Sequence, residues 1–228
     1  MMSEPFLQAL QMFSKVDYFS ELDEGTLREV VQMAVRRTIE AGEVVFWEGE
    51  PCVGMYIVEA GWLKVSKLAQ TGREQVLHFI SPGETFNALS VFTGTPNPAT
   101  VVALEPCTVW LVYRERMLAL LEAQPKMARQ VIADLAGRVL HMMRLVEDIS
   151  LRSVEARLAR FLLEQEAHGA VKRRKWATQA EMAARLGTVP DVLNRALRKL
   201  GEEGLIEVTR QTIRLVDGEG LKRRAEGG

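Results

Sequence analysis

The chain has 228 residues, 47% apolar and 26% charged, which suits a globular protein of two small domains and shows none of the bias of a fibrous or disordered chain. No apolar run approaches the ~18 residues of a membrane span, and the N-terminus lacks a secretion signal, so no membrane partner and a cytoplasmic location are expected. The net charge of −1 hides an asymmetry: residues 1–150 carry 13 Lys and Arg against 19 Asp and Glu, whereas residues 151–228 carry 16 against 11, so only the last third suits a polyanion.

In chain order, residues 4–36 read as helical. Phe6, Leu10 and Phe13 share one face, a turn follows at Asp17–Phe19, and a second helix opens in the segment starting at Ser20 and runs through Val35. Its Leu22, Leu27, Val30, Val31 and Ala34 form a buried stripe. From Ile39 to Val112 short β-rich runs alternate with glycine turns. The runs are Glu43–Trp47, Met55–Ala60, Leu63–Leu68, Gln75–Ile80, Thr100–Ala103 and Thr108–Val112. Their spacing predicts an antiparallel β-roll of about eight strands with an interior that can hold a ligand. Two cysteines, Cys52 and Cys107, are too few for a four-thiolate metal or iron–sulfur site and read as small core residues.

Pro125 to Ile149 carries an uninterrupted heptad seam. Ile132, Val139 and Val146 hold one seam position and Leu135, Met142 and Ile149 the other, which favours a parallel two-stranded coiled coil. A second apolar stripe at Met127, Val131, Met143 and Leu145 would face the helix's own domain. A homodimer along this helix is the expectation, the alternative being a single buried helix.

Beyond Ser150, Ser153 caps a helix ending near Gly169, and Lys172-Arg-Arg-Lys175 follows as a basic run, read either as a solvated loop or as a phosphate- or polymerase-facing edge. Thr178 with Glu181 makes a capping box, Gly187 permits a turn, Thr188 caps the next helix and Pro190 sits in its first turn. This is a helix-turn-helix, and Gly204 to Val216 supplies a two-stranded wing. The second helix of such a unit enters the DNA major groove. Opposite its apolar side lie Asp191, Asn194, Arg195 and Arg198. Arg195 suits a guanine, Asn194 an adenine and Asp191 a cytosine amine. Thr178, Gln179, Thr188, Lys199 and Arg210 are candidate phosphate contacts, and the tail from Leu221 to Gly228 reads as disordered.

The segments Ala41-Gly-Glu-Val-Val-Phe, Gly49 through Val65, and Ser81-Pro-Gly-Glu-Thr-Phe-Asn-Ala-Leu-Ser-Val-Phe, followed by the long helix and the helix-turn-helix, resemble the CRP/FNR transcription regulators. The resemblance implies an α+β protein: a cyclic-nucleotide-binding-like β-roll with N-terminal helices over residues 1–124, a dimerisation helix over 125–149, and a winged helix-turn-helix DNA-binding domain over 150–228. It implies a homodimeric regulator bound to a roughly palindromic double-stranded operator, with RNA polymerase as partner if it activates. A winged helix serving protein contacts is the alternative. An enzyme is not expected, since no nucleophile–base pair or metal-ligand spacing is found.

The candidate effector pocket comprises Asn87, Ala88, Leu89, Asn97, Pro98, Ala99 and Thr100, with Met142 and Met143 on the long helix. Members of the family that bind cAMP carry a glutamate for the ribose and an arginine–serine pair for the phosphate. Ala88, Asn97 and Pro98 stand there instead, so cAMP loses its charge-assisted anchor and is not the expected effector. The N-terminal cysteine cluster of oxygen-sensing members is absent, so no iron–sulfur cluster is expected. One alternative is a haem that senses nitric oxide or carbon monoxide, with His78, His141 or His168 as candidate ligands and Met142, Met143 or Cys52 as soft partners; the other is no bound effector, with control through expression level.

Overall fold

The computed structural model describes residues 4–166, 170–172, 177–209 and 212–227. It divides into two compact units, one made of Met1–Lys67 with His78–Leu140 and the other of Leu68–Leu77 with His141–Gly228.

The first unit opens with α1 (Glu4–Phe13), a short 3-10 turn (Asp17–Phe19) and α2 (Glu24–Met33). The second helix begins within the expected opening segment, at its Asp23 cap, whose carboxylate accepts from the Thr26 N–H at 3.0 Å. It ends before Val35, which begins β1 (Val35–Ile39) and pairs with Leu111. The apolar stripe of α2 runs on into β-branched residues, so period alone misplaces this boundary.

The roll has eight strands: β1, β2 (Val44–Phe46), β3 (Gly54–Ala60), β4 (Leu63–Leu68), β5 (Glu74–Ile80), β6 (Thr85–Phe86), β7 (Thr100–Ala103) and β8 (Cys107–Tyr113). They form two four-stranded sheets, ordered β1-β8-β3-β6 and β2-β7-β4-β5. Strand β3 shows how one sheet serves two cores. Tyr56 and Val58 join the interior of the roll, while Met55 and Ile57, on the opposite face, join a second core with the N-terminal helices. Alternate residues of a strand point to opposite faces, so a strand covered on both sides is apolar throughout.

Two helices unseen in the sequence pattern, α3 (Ala88–Thr93) and α4 (Arg114–Ala123), cover this second core. Helix α5 (Pro125–Leu151) follows; its 27 residues give a rod of about 40 Å. Met127 and Val131 are buried against the N-terminal helices, as the second stripe predicts. Tyr18 donates to the Asp134 carboxylate, which also accepts from Arg138 Nε at 2.7 Å. Arg138 Nη2 donates to the Thr85 carbonyl at 3.0 Å. Burial, reinforced by the Asp134 carboxylate, pushes the Tyr18 hydroxyl pKa upward.

The second unit contains α6 (Val154–Gln165), β9 (Ala170–Lys172), α7 (Gln179–Arg185), α8 (Pro190–Glu202), β10 (Ile206–Val208), β11 (Thr212–Leu215) and α9 (Gly218–Glu226). One core joins them, built on Leu158, Leu162, Leu193, Leu200, Ile213 and Leu221. Helix α6 ends at Gln165, short of the expected end; Gly169 lies outside the described residues. The tail is a helix, not a disordered segment: Asp217 caps α9 through the Gly220 N–H at 2.9 Å, and Leu221 and Ala225 are buried in the core. The wing has three strands, because β9 adds to the free edge of β11 with Ile213 opposite Val171. Of the basic run, only the backbone of Lys172 falls within the described residues. No helix among the described residues is long and apolar enough to cross a membrane.

Candidate nucleic-acid interface and sensor pocket

The helix-turn-helix is built by local signals. Thr178 caps α7, its hydroxyl accepting from the Glu181 N–H at 3.2 Å. Gly187 holds φ +64°, a left-handed conformation that costs other residues more, and it breaks the chain between α7 and α8. Pro190 is at the start of α8, but Val189, not Thr188, occupies the cap, with no side-chain cap bond. Thr188 instead donates its N–H to the Ala183 carbonyl at 2.9 Å. Leu193, Ala196, Leu197 and Leu200 fix α8 on its buried side.

On the opposite side, Asp191, Arg195 and Arg198 are exposed, and Asn194 is half-buried. The Asn194 amide donates to Gln179 Oε1 at 3.2 Å, which brings the expected base-reading and phosphate-contacting residues of the two helices together. Thr178 and Gln179 are exposed at the start of α7, where backbone N–H groups point outward. No ion pair or hydrogen bond within the described residues engages the side chain of Arg195 or Arg198. Lys199 differs: its ammonium lies 3.2 Å from Glu155 on α6 and is partly neutralised there. Arg210 lies outside the described residues.

Three side chains hold the turn between α7 and α8 from behind. Arg157 Nη1 donates to the Leu186 carbonyl at 2.6 Å, Gln75 Nε2 to that of Arg185 at 3.4 Å, and Arg73 Nη2 to that of Gly187. These carbonyls are the unpaired acceptors of a helix C-terminus, and cationic donors suit them. The sequence carries no local sign of this arrangement, since Arg73 and Gly187 are 114 positions apart.

In the first unit, the residues expected to line a sensor pocket diverge. Ala88, Asn97 and Ala99 are buried, whereas Leu89 and Pro98 are exposed. Asn87 takes φ 68°, and its amide donates to the Asn97 side chain at 3.0 Å and to the Gly54 carbonyl at 3.1 Å. The Asn97 backbone is tied to both Glu50 and Gly49 at 2.8 Å. Thr100 Oγ1 accepts from the Glu48 N–H at 3.1 Å. These residues thus clip neighbouring loops together. The roll interior is filled by Phe46, Tyr56 and Phe86, whose ring centroids lie 4.8 to 6.0 Å apart. Nothing in the sequence pairs these three rings, which come from separate strands. Met142 and Met143 are both exposed on α5 and belong to the second unit, Met143 departing from the buried stripe expected of it.

His78 Nε2 lies 3.2 Å from Glu84, and His141 Nε2 lies 3.3 Å from the Leu77 carbonyl, while His168 lies outside the described residues. Burial opposes ionisation of Glu84, but bonds from His78 and from the Ser81 N–H and hydroxyl prevail and hold its carboxyl at about 2. Along the seam, Ile132, Val139, Met142, Val146 and Ile149 are all exposed on one chain, and Leu135 is half-buried against the core of the first unit.

Comparison with known proteins accords with this geometry. The cyclic nucleotide-binding domain family matches residues 36–124, and the Crp-like helix-turn-helix domain family matches residues 156–224. The chain belongs to the CRP/FNR family. It is 24% identical over 221 residues to a CRP-like cAMP-activated global transcriptional regulator of Mycobacterium tuberculosis, covering 94% of this chain and 99% of that one. It is 27% identical over 212 residues to the cyclic AMP receptor protein of Thermus thermophilus, covering 91% and 98%. The fold is shared with the structure of FixK2 from Bradyrhizobium japonicum at a TM-score of 0.75, with 24% identity over 83% of this chain and 96% of that one. This CRP/FNR protein is therefore a transcription regulator with a helix-turn-helix DNA-binding domain.

Proposed function

We propose that the protein acts as a homodimer, paired along α5, that reads a roughly palindromic operator and does not respond to cAMP. The observation that carries the DNA reading is the outer face of α8, where Arg195 and Arg198 are exposed and unengaged beside Asn194. Guanidinium groups left in water at the surface of a recognition helix are free to take guanine O6 and N7 bidentately. Thr178, Gln179 and Thr188 position the unit on phosphates, with Arg210 in the same role from the wing and Lys199 only if it leaves Glu155.

Pairing is supported by the exposed seam. Five apolar side chains at heptad spacing along one rod are costly in water and are covered by a second copy of the same rod. A two-fold dimer calls for a two-fold site with half-sites about 34 Å apart. The place of action is then the cytoplasm, where DNA and RNA polymerase are.

Against cAMP stand the replaced anchor and the filled interior. Asn97 is buried and committed to Asn87, and Pro98 has no donor to offer a phosphate. The two relatives whose names include cyclic AMP set the contrary expectation, so the test is direct. Isothermal titration of cAMP should give no binding heat, and cAMP should leave DNA affinity unchanged; a micromolar dissociation constant contradicts this part. A haem has no support from His78 and His141, whose Nε2 atoms face Glu84 and a carbonyl.

The DNA reading is tested with a duplex that the protein itself selects from a random pool. Affinity should fall steeply with salt, with a slope on logarithmic axes of about −0.9 per phosphate engaged. A flat salt response would favour the winged helix as a protein-contact module.

A further inference from the structure

The second unit contains a small cleft of about 30 Å³, open to solvent on one side, that the DNA reading does not use. Leu145 and Ile149 of α5 and Phe161 of α6 form its apolar wall. Its polar side is set by three arginines, Arg157, Arg160 and Arg185, against two carboxylates, Asp148 and Glu164. The carboxylates do not balance the arginines. Asp148 is already shared, 3.0 Å from both Arg152 and Arg160. Glu164 is exposed and faces Arg185 only at a distance, without a hydrogen bond. No hydrogen bond or ion pair within the described residues reaches the Arg185 guanidinium. Arg157 spends one nitrogen on the Leu186 carbonyl, and its Nε is buried without a protein partner. Burial moves the pKa of both arginines downward, the mark of cations removed from water and not repaid.

We propose that Arg157 and Arg185 form a binding site for a small oxyanion, a phosphate or carboxylate group on a compact ligand whose apolar part rests on Leu145, Ile149 and Phe161. Two guanidinium forks beside an apolar wall are what such a ligand requires: bidentate bonds to its oxygens and a dry surface for its body. The site is also one bond from the helix-turn-helix, because the arginine that lines it holds the carbonyl at the end of α7. The proposal does not depend on the DNA reading.

Thermal unfolding of the full chain tests it, with inorganic phosphate and succinate titrated separately against chloride at matched ionic strength. The wild type should gain roughly 5–10 °C when the better anion reaches about 100 times its dissociation constant. Whichever anion acts at lower concentration identifies the group. Arg185→Met should melt no lower than wild type in chloride, since it removes a half-buried cation with no hydrogen bond or ion pair among the described residues, and should lose the anion-dependent gain. Arg185→Lys keeps the charge without the fork and should lose most of it, which covers the case in which the methionine variant fails to fold. Equal gains in wild type and both variants, or no gain beyond chloride in the wild type, overturn the proposal. So does a DNA salt slope lower by about one in Arg185→Met, which would make this arginine a contact to DNA phosphate.

Discussion

On the proposed reading, Arg195 is the side chain of the output domain that distinguishes one base pair from another. It is exposed, its neighbour Asn194 is already held by Gln179, and the helix beneath is fixed by Leu193 and Ala196. Truncating it should therefore change recognition without changing the fold. Arg195→Ala should weaken operator binding by about 1–3 kcal/mol, relax preference at one base pair, and affect random-sequence binding far less, as read by gel shift on matched and mutated duplexes. A second residue-scale expectation concerns Glu84. Its carboxyl titrates at about 2 in the fold against an ordinary value of 4.5, so its bonds to Ser81 and His78 add stability above pH 4.5 and are lost as pH falls towards 2. The stability gap between wild type and Glu84→Gln, read from urea midpoints, should be widest above pH 4.5 and should close on acidification. Residues of this kind differ in how far sequence reveals them. Arg195 is found by subtracting the apolar face of one helix. The Asn87–Asn97 clip and the arginines around the turn are not, because tertiary contacts decide which polar group a buried amide or guanidinium meets.

Elements show the same division. The helix-turn-helix was legible because Thr178, Gly187 and Pro190 act locally through a cap, a left-handed turn and a fixed φ. The long helix was legible because its seam repeats without a break, whereas its second stripe is interrupted between Val131 and Met143, and Met143 is exposed. Strand β1 was not: Val35 continues the apolar stripe of α2, and only pairing with Leu111 makes it extended. Helix α4 hid because it is short and Leu118 lies beside the stripe of Met117, Leu120 and Leu121 that packs on the core, which weakens the apolar period. Helix α9 hid because its sequence is mostly charged and glycine-rich, and two residues dock it. That docking gives an element-scale prediction. Leu221→Ala should destabilise the second unit by about 2–5 kcal/mol, and a cap deletion, Ser153→Ala, by about 1 kcal/mol, in urea unfolding followed by far-ultraviolet circular dichroism. An unaltered midpoint in Leu221→Ala would mean that the tail does not pack.

At the scale of the whole molecule, the proposed function depends on two recognition helices acting at once, and the exposed seam of α5 is the surface proposed to pair them. Ile132, Val139 and Val146 are each more than half exposed in one chain. A charge placed there would be buried unpaired in the dimer and harmless in a monomer. Val139→Glu should therefore leave circular dichroism and the melting of each unit near wild type while the protein sediments as a monomer and its operator affinity collapses. The asymmetry of charge fits the proposed arrangement: an acidic body would repel DNA from the roll, and a basic last third would attract it. The most direct test of the account is the stoichiometry of the complex. Sedimentation equilibrium of the wild type with a duplex holding one selected operator should give the mass of two chains per duplex, formed cooperatively at micromolar protein. A mass of one chain per duplex, with a free protein that is monomeric at the same concentration, would contradict it.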